Sequence, residues 1–148
     1  MPFDDARVEC EALATVPCVL VMPKDHHLAR KRLLHLKDLA GERIVLPSPG
    51  NANRERFAEA FASVGLPYNG AVDTPSAFSA CQFVAQGLGL AVVDPFTFSA
   101  ASSLDSVARP IRPAIKLSFG FFFPAKRPRS ALVNSFVKAT RLAINATR

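Results

Sequence analysis

The 148-residue chain has no run of about 18 consecutive apolar residues, which excludes a membrane-spanning helix. Its first ten residues, MPFDDARVEC, are acidic and polar where an export signal is basic and then apolar. Export is therefore not expected. The three cysteines, Cys10, Cys18 and Cys81, are odd in number and show no Cys-x-x-Cys spacing. That argues against a disulfide framework or a zinc site and for free thiols in a reducing compartment; the cytoplasm fits best. All three sit on apolar segments, where cysteine is expected to pack inertly. The three histidines, His26, His27 and His35, have no His-x-x-x-His ligand spacing. Adjacent His26 and His27 point apart on any regular element, so no metal site is expected. There is no Gly-x-Ser-x-Gly elbow and no P-loop. Gly87-Leu88-Gly89 follows a helical pattern and precedes a strand, the reverse of a dinucleotide fingerprint, and reads as a helix stop. Neither cofactor nor catalysis is expected.

One kind of charge also runs out. No acidic residue follows Asp105, whereas nine Lys or Arg follow it, from Arg109 to Arg148. Such a tail reads either as a basic face for an anion or as a solvated surface. In the last helix only Phe136 interrupts the basic pattern as an aromatic. Over the whole chain, 18 Lys and Arg against 12 Asp and Glu give +6.

What is present amounts to one domain. Hydrophobic residues are 49% and charged residues 20%, which excludes intrinsic disorder. Counting glycine and leaving out tyrosine gives roughly 53% apolar, against about 45–50% for an average domain. The small excess suggests apolar surface meant for a partner.

Short apolar runs and helical patterns alternate. Pro17–Met22, Arg43–Leu46, Gly70–Thr74 and Leu90–Val93 read as buried strands, and Ile115–Phe123 as a long one. Leu36–Ala40 is a helical turn ended by Gly41. Asn51 or Asn53 caps a helix bearing Phe57, Ala60, Phe61 and Val64, which Gly65 stops. Thr74 or Ser76 caps the next helix; with Thr74 as cap, Pro75 takes its first position. A weak helix spans Phe96–Ala101, Val107–Pro113 is irregular or strand, and Pro128-Arg129-Ser130 opens the last helix. Buried, non-alternating strands between helices predict an α/β fold, a Rossmann-like parallel or mixed sheet with helices on both faces. Ligands bind such sheets beyond the carboxyl ends of the strands.

Three stretches fall at such ends: Pro47–Asn53, Asp73–Phe78 and Asp94–Phe96. Ser48 and Asn51 precede one helix, Thr74 and Ser76 another. Each pair either caps its helix or helps hold an anionic head group. Asp94 ends a buried strand, where a carboxylate is costly unless paired. A ligand ammonium, a helix cap or an internal salt bridge would each pair it. Two anion-receptive helix ends and one carboxylate suit a zwitterion such as an amino acid.

Pro17–Ala29 (PCVLVMPKDHHLA), followed by Leu36-Lys37-Asp38-Leu39-Ala40-Gly41, resembles the effector-binding domain of LysR-type transcriptional regulators. So do Val84–Val93 (VAQGLGLAVV) and the tail from Pro128 to Phe136. The resemblance covers nearly the whole chain in the family's order. His27 departs from it, standing where the family usually has proline. The Val93-Asp94-Pro95-Phe96 stretch is closest to members that sense amino acids or opines. The resemblance implies a two-lobed fold of the type 2 periplasmic-binding-protein kind, with a small effector between the lobes. It implies that residues 1–15 belong to lobe I and a crossing, 16–121 to lobe II, and 122–148 to the return crossing and a helix packing on lobe I. Ser48, Ser76, Phe78 and Asp94 would line the lobe II side of the cleft, with Asn51 and Phe96 beside them; Pro2 and Phe3 would lie near the lobe I side. DNA would be bound only through an N-terminal winged helix-turn-helix outside this chain, in a homo-oligomer. Leu132, Phe136 and Leu142 would pack on lobe I. The alternatives are a solute-binding protein of the same fold carrying an amino acid for transport, and an α/β enzyme with an unrecognised site.

Overall fold

A computed structural model describes residues 6–68 and 70–146. The chain divides into two compact units: Val16–Leu117, and the preceding arm together with Ser118 onward.

The larger unit is built on a six-stranded sheet of order β3-β7-β2-β6-β4-β5. Its strands are β2 (Val19–Pro23), β3 (Leu34–His35), β4 (Ile44–Pro47), β5 (Gly70–Thr74), β6 (Leu90–Val93) and β7 (Ser106–Arg112). Strands β4, β5 and β6 run parallel, as β3 does to β7. The sheet is mixed: β2 is antiparallel to both of its neighbours, β6 and β7. A strand buried on both faces reads the same in either direction, so its apolar run gave no sign of this reversal.

Helix α1 (Ala52–Ala62) follows β4, α2 (Ala77–Ala85) follows β5, and α3 (Pro95–Ala100) follows β6. Val21, Val45, Ala91 and Val93 pack with Ala80, Cys81 and Val84 of α2 and with Ala101. Phe61 of α1 is 1% exposed and packs against Tyr68 in a tilted arrangement with ring centroids 4.9 Å apart. Burying such a ring stabilises the fold by about 2–3 kcal/mol. Short 3-10 turns at His27–Arg30 and Leu36–Leu39 bury Leu28, Leu36 and Leu39.

The structure selects one of two candidate caps and divides one expected strand. Ser76, not Thr74, caps α2. Thr74 is still paired with Pro47 across the β4–β5 ladder, and its carbonyl accepts the Ser48 amide at 2.9 Å, so the helix cannot begin there. The run from Pro17 is broken at Cys18, whose amide donates to the Ile115 carbonyl at 2.7 Å.

In the smaller unit, β1 (Val8–Pro17) and β8 (Lys116–Pro124) form a two-stranded ribbon. The Thr15 and Ser118 hydroxyls meet at 3.1 Å, and the Ala125 amide donates to the Arg7 carbonyl at the other end. Arg129 lies 3.6 Å over the Phe123 ring and bonds Glu11, which also accepts from Arg141. These two guanidinium bonds hold the Glu11 carboxyl below its ordinary pKa of 4.5. Helix α4 (Ala131–Ala146) buries Val137 but leaves Leu132 80% exposed and Phe136 and Leu142 63% exposed. Cys10, expected to be buried packing, is exposed on β1. No helix among the described residues is long and apolar enough to cross a membrane.

Candidate functional site

The carboxyl ends of β4, β5 and β6 lie side by side, and each is followed by a helix after a short loop or cap. Sequence and topology together therefore place three helix N-termini around one spot. Helix N-termini carry unpaired amides and partial positive charge.

A cavity of ≈ 50 Å³ opens there. Asn51, Asn53, Thr74, Ser76 and Asp94 supply its polar wall, and Val45, Phe57, Val92 and Leu117 belong to its apolar lining. The Asn51 side chain caps α1 by accepting the Asn53 amide at 2.9 Å. The Ser76 hydroxyl caps α2 by accepting the Ser79 amide at a long 3.4 Å. The first-turn amides of Ala77 and Phe78 have no partner within the helix.

Asp94 is 8% exposed and is held as a helix cap. Its Oδ1 accepts from the Phe96 and Thr97 amides at 3.0 and 2.9 Å, and its Oδ2 accepts the Thr97 hydroxyl at 2.6 Å. The other carboxylate of the region, Asp73, is paired with Arg54 at 2.8 Å, and Arg54 also donates to the Pro47 carbonyl. That guanidinium staples the ends of β4 and β5. Burial, reinforced by the Asp94 charge, pushes the Cys18 thiol up to about 12 and the Cys81 thiol up to about 11. Neither is a nucleophile at neutral pH.

Of the expected site residues, Asn51, Ser76 and Asp94 share this cavity. Ser48 is half-buried in the loop before α1, where its carbonyl accepts the Asn51 amide at 3.1 Å. Phe78 is 43% exposed on the first turn of α2, and Phe96 is half-buried on α3; neither lines the cavity. Pro2 and Phe3 lie outside the described residues. Phe57 and Leu117 were missed as lining. Phe57 was legible only as a core position of α1, and Leu117 arrives from β8, far along the chain, with no local signal.

A second cluster lies at the amino end of the same strands. His26 and His27 do not point apart. Their rings lie 4.5 Å centroid to centroid, and both Nε2 atoms reach Glu42 at 3.4 Å.

The model of the LysR substrate binding domain matches residues 1–143, and the chain belongs to that family. It is 29% identical over 136 residues to the regulatory protein NocR of Agrobacterium tumefaciens, covering 92% of this chain and 45% of NocR. The chain thus spans less than half the length of that relative. The structure of HinK, a LysR family transcriptional regulator from Pseudomonas aeruginosa, superposes with a TM-score of 0.81 at 20% identity, over 97% of this chain and 50% of HinK. The effector-binding domain of BenM, solved with its effector benzoate, gives a TM-score of 0.76 at 20% identity, over 99% of this chain and 67% of that one. The fold is therefore that of LysR effector-binding domains, and the family match favours a regulator's sensing region over a transport protein.

Proposed function

We propose that this chain senses a small carboxylate, of the amino-acid class, on behalf of a LysR-type regulator. The observation that carries the reading is the single cavity in which two helix ends capped by neutral side chains, Asn51 and Ser76, meet one buried carboxylate, Asp94. The helix ends suit the carboxylate of an effector, and the remaining lone pairs of Asp94 suit its ammonium. BenM, with the same fold, is solved with a carboxylate effector.

The volume is consistent with a half site. About 50 Å³ holds a head group, whereas enclosed ligand sites run to roughly 300–1,000 Å³. A second lobe completes the site. The effector then acts by binding one arrangement of a DNA-bound homo-oligomer better than another. DNA contact belongs to a separate N-terminal domain, and the chain performs no catalysis.

The test is a titration of the ¹⁵N-labelled chain with amino acids and simple carboxylates at millimolar concentration. The Ala77 and Phe78 amides should shift with both classes. Asp94→Asn should remove the response to amino acids and keep the response to simple carboxylates. Amides that move with neither class would overturn the reading.

A further inference from the structure

We propose that His26, His27 and Glu42 bind a divalent transition-metal ion of the zinc class, at the end of the sheet opposite the effector cavity. The three side chains offer two imidazole nitrogens and a carboxylate oxygen that all lie within 4.8 Å of one another. Each Nε2 already stands 3.4 Å from its own Glu42 oxygen. On a tetrahedral ion with bonds of about 2.0–2.1 Å, neighbouring ligand atoms sit about 3.3–3.4 Å apart. The two spacings run to different oxygens of the one carboxylate, Oε2 for His26 and Oε1 for His27, so a rotation of Glu42 that brings a single oxygen to both nitrogens closes the set.

Local structure explains the convergence. The His26 amide bonds the Pro23 carbonyl in a turn, and His26 is extended (φ −61°, ψ 138°) as the cap of the 3-10 turn that His27 begins. This is not a regular element, so adjacent side chains share a side. Gly41, at φ 80°, lets the chain double back so that Glu42 faces them.

The surroundings suit a cation. The carboxyl terminus of α2 ends at this side of the sheet, and Gly87, just beyond it, lines the same shallow pocket as His26 and Glu42. Helix carboxyl ends carry partial negative charge. Of the two nearest basic residues in sequence, Lys24 pairs with Asp105 at 2.7 Å, and Arg43, which lines this pocket, has its guanidinium bonded to the Gly87 carbonyl at 2.9 Å. The His27 side chain is 69% exposed, which leaves the fourth position to water. Nitrogen and carboxylate donors together select zinc-like ions over magnesium. Loading has one local cost. The His26 Nδ1 now accepts the Leu28 amide at 3.3 Å, and metal at Nε2 moves the ring proton to Nδ1 and breaks that long bond.

The test is calorimetric titration of zinc chloride into the full chain, followed in parallel by amide spectra. One ion per chain is expected, with a shift of the Leu28 amide. His27→Ala, at an exposed position that should not affect folding, and the conservative Glu42→Gln should each weaken binding at least about tenfold. Cys10→Ser should leave it unchanged, and excess magnesium chloride should not reproduce the shift. The proposal is overturned by the absence of saturable binding, by binding that survives His27→Ala, by binding lost with Cys10→Ser, or by magnesium producing the same spectrum.

Discussion

The two ends of strands β4, β5 and β6 have opposite electrostatic character, although the same strands and helices build both. At the carboxyl end, α1, α2 and α3 begin, capped by Asn51, Ser76 and Asp94 around one cavity. At the amino end, α2 finishes, a guanidinium from Arg43 covers the Gly87 carbonyl, and two histidines meet a glutamate. The polarity of the strand–helix unit produces both features, because every helix points its amides one way and its carbonyls the other. The proposed anion site and the proposed cation site would thus fall on opposite edges of one fold.

The comparison is broken most severely at the amino end by Gly89→Ala. Gly89 has φ +155°, and an added Cβ would sit 2.6 Å from the Arg43 carbonyl oxygen, which accepts the Leu90 amide. Strain plus overlap should cost about 3 kcal/mol, read as a fall in the urea midpoint. At the carboxyl end, Asp94→Ala removes a cap with three donors and should cost about 1–2 kcal/mol. Asp94→Asn keeps the cap and should cost less than half as much. Equal losses in the two variants would mean that the charge, not the capping geometry, matters to the fold.

The exposed face of α4, in the smaller unit, tests a different contrast. Leu132, Phe136 and Leu142 form apolar surface that soluble monomers seldom leave open. The chain is expected to self-associate at tens of micromolar in sedimentation, and Leu132→Glu to return it to monomer. A monomeric parent would refute this.

The smallest effect is electrostatic. Paired with Arg129 and Arg141, Glu11 has its pKa lowered on folding, so it contributes stability above about pH 4.5 and loses it as pH falls through the folded value. Glu11→Gln lacks that contribution. Stability curves of parent and variant should therefore differ at neutral pH and converge on acidification, as followed by thermal melts.

Much of this architecture was legible in residue patterns. Ile44–Leu46 and Leu90–Val93 are too uniformly apolar for anything but buried strands, and Gly41 and Gly65 mark stops that the backbone confirms with φ near +80°. The caps at Asn51 and Ser76 were readable because short polar side chains before an apolar helical face have few other roles. The reversal of β2 was not readable, and residue types alone did not choose between Thr74 and Ser76 as the cap of α2. Strand direction leaves no mark on a doubly buried run, and ladder pairing with Pro47 holds Thr74 in the strand.

By itself, the sequence determined the alternation of strands and helices, their caps and stops, and membership of an α/β class, since these follow from periodicity and local backbone preference. It placed Asn51, Ser76 and Asp94 at strand ends one at a time. Only the tertiary structure decided that these three share a cavity, that Leu117 lines it, and that His26 and His27 turn to the same carboxylate. Those facts depend on which strands become neighbours and on how a turn aims its side chains, and neither is encoded within any short stretch of chain.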